Sequence, residues 1–168
     1  MDEKVILVDT NDTVIGEALR SKAHAESLLH RIVAIYLTRS TGEILVQERM
    51  SGKFDHSAAG HMNPGETQLA AAQRELCEEL GVCGNDVSLI EIGNAISGGT
   101  EREKFYHMAK VYEYAGEPKE LQLQEVKSVH WEQPLDVWQK MKDDPEWKMY
   151  TGGFRSTLEL FLKHKKLI

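Results

Sequence analysis

Gly60-His61-Met62-Asn63-Pro64-Gly65-Glu66, followed after seven residues by Arg74-Glu75-Leu76-Cys77-Glu78-Glu79-Leu80-Gly81-Val82, sets four acids and an arginine at fixed intervals. Pro64-Gly65 is a turn signal. Thr67 suits a helix N-cap, and Gly81 suits the left-handed residue that ends a helix. Residues 68–80 are nearly all strong helix formers, so a helix is expected there. Leu69, Ala72, Leu76 and Leu80 recur at helical spacing and are expected to face a core. Glu75, Glu78 and Glu79 stand at i, i+3 and i+4, so they share one patch of helix surface. Like charges so placed repel by about 0.2–0.5 kcal/mol per pair. A hard divalent cation reverses that sign, because Mg²⁺ takes oxygen ligands and suits carboxylates together with substrate phosphates. An acidic run alone is explained as well by a solvated helix face. Gly60 and Glu66 in register upstream shift the balance toward a metal site.

The remaining chain bounds the answer. Its 168 residues suit a single domain, 1–168, with a sizeable core. A net charge of −7 without a basic tract disfavours a nucleic-acid polymer, which needs many Lys/Arg–phosphate contacts. A small phosphorylated substrate remains compatible, since a bound metal supplies local positive charge. Cys77 and Cys83 are the only cysteines, and they show neither zinc spacing nor a disulfide framework. Both are expected to be free thiols in a reducing compartment, with Cys77 as structural filler. No run approaches 18 apolar residues, so no membrane span is expected. The short apolar run after Met1-Asp2-Glu3-Lys4 does not make a secretory signal, and a cytoplasmic location is expected. The oligomeric state is not legible; a homodimer is compatible.

Turn residues and apolar runs divide the chain into elements. Residues 5–8 and 14–15 are expected to pair across a turn at 9–12. Residues 20–29 are a helical turn or loop. Residues 31–38 form a strongly apolar strand and, with 43–49, a hairpin around Ser40-Thr41-Gly42. Residues 50–59 are expected to be a loop. Strands are expected at 87–93, 104–114 and 126–131, with the loop Ser97-Gly98-Gly99-Thr100 between the first two. Pro134 opens a helix to about residue 142. A last amphipathic helix carries Phe154, Leu158, Phe161 and Leu162. This order gives an α/β layered domain.

The 60–82 stretch resembles the Nudix box: Gly, five residues, Glu, seven residues, Arg-Glu, an aliphatic, any residue, Glu-Glu, any residue, Gly and an aliphatic. Every fixed position is filled. The resemblance implies a Nudix-type α/β/α sandwich, with a mixed sheet and a loop–helix–loop catalytic motif. It implies that Glu78 and Glu79 ligate metal, that Glu75 ligates metal or orients water, and that the Gly60 carbonyl completes the site. Arg74 would orient the glutamates and Glu66 would brace the helix. The implied activity is Mg²⁺- or Mn²⁺-dependent hydrolysis of a pyrophosphate bond in a small molecule, a nucleoside diphosphate derivative.

A second resemblance is narrower. Leu28-Leu29-His30-Arg31, Gly42-Glu43 and Ser57-Ala58-Ala59-Gly60-His61 are similar to the Nudix branch of isopentenyl-diphosphate isomerase. That branch carries a catalytic Cys just before Gly-His, where this chain has Ala59, and an alanine cannot shuttle a proton. The intact box and the missing thiol both favour a hydrolase. An isomerase-like enzyme and a non-catalytic ligand-sensing module stay open as alternatives. The same branch implies that His24, His30 and His61 form a second metal site or contact substrate phosphate, against structural and surface roles. Arg31, Arg49 and Lys53 are candidates for neutralising phosphate, with His30, Arg31 and His61 the substrate-binding set. His56, His107 and His130 are expected to be structural or exposed. Glu125, Glu101 and Glu103 are alternative general bases, and Trp131 is expected in the core.

Overall fold

A computed structural model describes residues 1–168. In chain order the elements are β1 (Lys4–Val8), β2 (Val14–Leu19), α1 (Arg20–Ala25), β3 (His30–Thr38), β4 (Ile44–Arg49), β5 (Phe54–Asp55), β6 (Ala58–His61), α2 (Gln68–Leu80), β7 (Ile90–Ser97), β8 (His107–Ala115), β9 (Val126–Glu132), α3 (Pro134–Lys142) and α4 (Gly152–His164). β3 is the axis. Its apolar run lies in a sheet covered on both faces, which is why it does not alternate with polar residues. β8 pairs with it in parallel from His30↔His107 to Thr38↔Ala115. Its other edge is shared by three antiparallel strands: β1 at Leu7↔His30, β6 from Ile32↔His61 to Ile35↔Ala58, and β4 at Thr38↔Ile44. β4 then leaves to pair with β5 and β9, and β7 extends the sheet from β8.

Side chains alternate across β3 and divide the core. Val33, Ile35 and Leu37 pack with Leu76 and Leu80 of α2. Ile32 and Tyr36 pack with Phe154, Leu158 and Phe161 of α4. The layers are therefore helix, mixed sheet, helix, the sandwich expected. No helix is long and apolar enough to cross a membrane.

α2 has the predicted bounds. Thr67 Oγ1 accepts from the Ala70 amide at 3.1 Å, and Gly81 ends the helix in the left-handed region at φ 68°. One expectation for its apolar face fails. The helix rotates so that Glu75 and Glu79 are buried beside Leu76 and Leu80, which leaves Leu69, in the first turn, 45% exposed. Cys77 and Cys83 are not free thiols but a disulfide, with Cα atoms 4.6 Å apart. The left-handed Gly81 reverses the chain and returns residue 83 to the last turn of α2. Two strand assignments also shift. Val87 is a buried core residue ahead of β7, and the expected loop at 50–59 contains β5 and the start of β6.

Leu76→Ala is expected to lower the unfolding free energy by about 2–5 kcal/mol, because it empties a fully buried site. Leu69→Ala should cost less than about 1 kcal/mol. Urea denaturation of both variants checks the rotation of α2; equal losses would contradict it.

Candidate active site

One guanidinium organises the box. Arg74 Nε donates to Glu66 Oε1 at 2.8 Å, and Nη1 donates to Glu75 Oε1 at 2.6 Å and to Glu78 Oε2 at 3.2 Å. Nη2 donates to the His61 carbonyl at 2.9 Å and to Glu66 Oε2 at 3.1 Å. Only the planar fork of arginine serves so many acceptors at once. Glu66 Oε2 also accepts the Asn63 amide, so the loop before α2 is tied to the helix. Gly60 lies on β6 against Glu75, and a Cβ there would collide with the Glu75 carboxylate. The side chains expected to bear on the box helix are therefore gathered together, although Glu78 is exposed.

The electrostatics separate the acids by role. Hydrogen bonding from Arg74 holds Glu66 below the usual carboxylate range, and Glu66 in turn raises Arg74. Burial raises Glu75 despite Arg74. Burial pushes Glu79 up to about 8, although Gln47 donates to its Oε2 at 2.6 Å; the charges of Glu75, Asp55 and Glu125 add to the shift. Glu75 shares the Arg74 charge with Glu66 and Glu78, and Glu79 accepts only from the neutral Gln47, so a cation would favour the charged form of both.

Four histidines meet beside this face. His24 comes from α1, His30 from β3, His61 from β6 and His107 from β8, and one ring nitrogen of each lies within 4.8 Å of the others. His24 Nε2 and His61 Nε2 are 3.3 Å apart. Tetrahedral zinc with Zn–N bonds of about 2.0–2.1 Å sets its ligands about 3.3–3.4 Å apart. His30 Nδ1 donates to the Leu28 carbonyl at 2.7 Å, which turns Nε2 inward as a free acceptor. His30 Nε2 and His107 Nε2 are buried without a hydrogen-bond partner. Burial lowers all four pKa values, His61 to about 2 and His107 to about 3, so each imidazole is a neutral donor near pH 7. These orphaned nitrogens fit a borderline transition-metal ion better than Mg²⁺.

The carboxylates and three of the histidines, His24, His61 and His107, line one cavity of about 1140 Å³, where only six of 32 lining residues are hydrophobic. That lining suits a polar ligand. Arg49, Lys53, Glu103 and Glu125 line it, and Glu101 does not. Arg31 also does not. Its guanidinium is committed to Asp12, with Nε to Oδ1 at 2.7 Å, which removes it from the substrate-binding set. His30 lies behind the cavity wall, fully buried, so it contacts the histidine cluster rather than a ligand in the cavity. His107 is a correction in the other direction, since it lines the cavity and joins the cluster, while His56 is buried beside Asp55 as a structural residue would be and also reaches the cavity wall. The His30↔His107 register across β3 and β8 brings His107 into the cluster, and that pairing has no local sequence signal. Trp131 is partly buried against the core, with Arg39 stacked 4.0 Å above its ring.

Residues 28–151 match the family model of the NUDIX domain. The chain belongs to the Nudix family. It is 37% identical over 116 residues to an isopentenyl-diphosphate Delta-isomerase of Serratia proteamaculans, a match covering 64% of this chain and 65% of that protein. The chain thus spans less than two thirds of that relative's length. A Deinococcus radiodurans crystal structure shares the fold at a TM-score of 0.76 and 22% identity, covering 94% of this chain and 97% of that one. The NUDIX domain of Shewanella oneidensis NrtR, complexed with ADP ribose, superposes at a TM-score of 0.57 and 15% identity over 82% of this chain and 88% of that one.

The raised and lowered pKa values set a pH dependence for metal-free protein. Glu79 and Glu75 bind protons more tightly when folded, so their contribution to stability is complete below the usual glutamate range and is lost as pH rises toward about 8. The histidines, depressed from 6.5, act oppositely: their contribution is complete above 6.5 and is lost as pH falls from there toward about 2 for His61 and about 3 for His107. In EDTA, the urea midpoint is therefore expected to fall between about pH 6.5 and 8. Mg²⁺ should restore more at pH 8 than at pH 6.5, and Glu79→Gln should flatten the trend. A wild-type midpoint constant across that window would contradict the assignment.

Proposed function

We propose that this chain hydrolyses a pyrophosphate bond in a small phosphorylated molecule, a nucleoside diphosphate joined to another moiety. Glu75, Glu78, Glu79 and the Gly60 carbonyl would hold Mg²⁺ or Mn²⁺. The observation that carries this reading is the pair of buried carboxylates, Glu75 and Glu79, left under-neutralised in the wall of a polar cavity. A cation held by these residues would supply Lewis acidity toward phosphate oxygens and toward an attacking water. The chain's own residues supply the alignment. Arg74 fixes Glu75 and Glu78, Gln47 fixes Glu79, and Glu66 anchors Arg74. We assign proton acceptance to Glu75, which lines the cavity and whose raised pKa moves it toward neutral pH. His24, His30, His61 and His107 would hold a second, borderline cation such as Zn²⁺. His61 joins the two sites, its ring in the cluster and its carbonyl on Arg74.

The isomerase names among the relatives support a second reading, isomerisation of isopentenyl diphosphate. That reaction moves a proton to and from carbon, and Ala59 offers none. The scarcity of hydrophobic lining also favours a polar substrate over a hydrocarbon tail. A ligand-sensing role has less support, because every box glutamate is present.

Turnover of nucleoside diphosphate derivatives is expected to vanish in EDTA and return with Mg²⁺. In H₂¹⁸O, mass spectrometry should find one ¹⁸O in one product. Full activity in metal-free buffer, or isomerisation of isopentenyl diphosphate by wild-type protein, would overturn the reading. Glu79→Gln should lower kcat by about two to three orders of magnitude, since it removes a charged group acting on the transition state. Near wild-type turnover by that variant would refute the role of Glu79.

A further inference from the structure

The cavity has a second polar end, one strand away from the glutamates. Asp55 on β5 is the cross-strand partner of Gln47, the residue that holds Glu79. Asp55 is buried and accepts from Arg49 Nη1 at 2.8 Å, Thr151 Oγ1 at 2.9 Å and the His56 amide at 2.9 Å. Its Oδ1 also lies 2.6 Å from His56 Nδ1, close enough for an ion pair though not aligned as a hydrogen bond. Burial works against the Asp55 charge, but His56 and Arg49 outweigh it and hold the carboxyl well below its usual range. His56 is only 3% exposed, and its Nε2 has no partner. Ser97 is 5% exposed, and its Oγ has none either.

Both orphaned atoms face the start of α4. A Cβ on Gly153 would stand 3.9 Å from His56 Nε2 and 3.8 Å from Ser97 Oγ. Gly152 and Gly153 open this 13-residue helix, while Thr151 Oγ1 caps only the Phe154 amide, at 3.2 Å. The first amides of a helix lack internal acceptors and carry the positive end of its dipole, which favours anions. Glycine costs about 1 kcal/mol per helical position relative to alanine, so two in succession need another reason. Space supplies it at Gly152, where a Cβ would collide with the carboxylate of Glu103, whereas at Gly153 a Cβ would make only ordinary contacts. That carboxylate comes from the loop after Ser97. It stands where an external anion would stand; burial and the nearby Asp55 raise its pKa, and Lys53 and the Gly153 amide only partly offset that shift.

We propose that the N-terminus of α4 and His56 form an oxyanion subsite for a second anionic group of the substrate, and that Glu103 fills this subsite in the free protein and leaves when that group binds. The proposal rests on reading this cavity as the substrate site. The ligand is a tetrahedral phosphate oxyanion, contacted by the Gly152 and Gly153 amides and by His56 Nε2, all from residues that line the cavity. Removing Glu103 leaves Lys53 without its nearby counter-charge, which strengthens the site for a free anion.

The test uses ¹⁵N-labelled full-length protein in EDTA, titrated with inorganic phosphate and with pyrophosphate. In Glu103→Ala, the Gly152 and Gly153 amides are expected to shift saturably, with a Kd at least about tenfold below wild type. Adding Gly153→Ala fills the cradle with a methyl at ordinary contact distances of 3.6–3.9 Å, so the fold is retained. Affinity should then weaken by at least about tenfold, with the spectrum unchanged elsewhere. No saturable shift at these glycines in Glu103→Ala, or binding indifferent to Gly153→Ala, would overturn the proposal. Shifts confined to Arg49 and Lys53 would overturn it too. With metal chelated and no turnover measured, this result is independent of whether the chain proves to be a hydrolase.

Discussion

The Arg74 guanidinium is the contact on which the site depends. It joins three separate pieces of chain: Glu66 before α2, Glu75 and Glu78 on α2, and the His61 carbonyl at the end of β6. β6 is in turn locked to the central strand β3. The acidic face of α2 is thereby fixed relative to the sheet rather than to the helix alone. Removing one partner of such a part-buried network leaves charges that nothing else neutralises, which costs more than the pair contributes when intact. Gly60 completes the arrangement by having no side chain where Glu75 must lie.

Burial is then used in opposite senses on two neighbouring donor sets. It raises Glu75 and Glu79, so oxygen donors compete with protons and favour a hard cation that offsets their charge. It lowers the four histidines, so nitrogen donors are free of protons at neutral pH. One desolvated region thus presents two kinds of donor set, oxygen and nitrogen, beside one cavity. The Asp55–His56 end adds a third polar region, and its partner Gln47 connects it to Glu79.

Local chemistry explains what was legible in the sequence. The bounds of α2 follow from Thr67, Gly81 and the helix formers between them, and each of those signals lies within a few residues of its effect. The apolar run of β3 similarly declared a strand, and the structure shows that both of its faces are covered. Non-local pairing hid the rest. His107 enters the histidine cluster through its register with His30, 77 residues away in the chain. β5 and β6 carry Asp, Ala and Gly, which have poor strand propensity, so tertiary pairing alone makes them strands. Arg31 looked available for phosphate until Asp12 claimed it across the turn after β1. Leu69 followed the helical period, but the burial of two glutamates turned the helix away from it.

The central claim is that α2 presents a preorganised oxygen site for a divalent cation, distinct from the histidine cluster. Pulsed EPR of Mn²⁺ titrated into wild-type protein and Arg74→Lys tests it directly. Lysine keeps the charge but lacks the fork that positions Glu75, Glu78 and Glu66 together. The account predicts a saturable Mn²⁺ ion in wild type with no directly coupled histidine nitrogen, and an affinity at least about tenfold weaker in Arg74→Lys. Equal affinity in the two proteins, or strong histidine ¹⁴N coupling on the first ion bound, would contradict it.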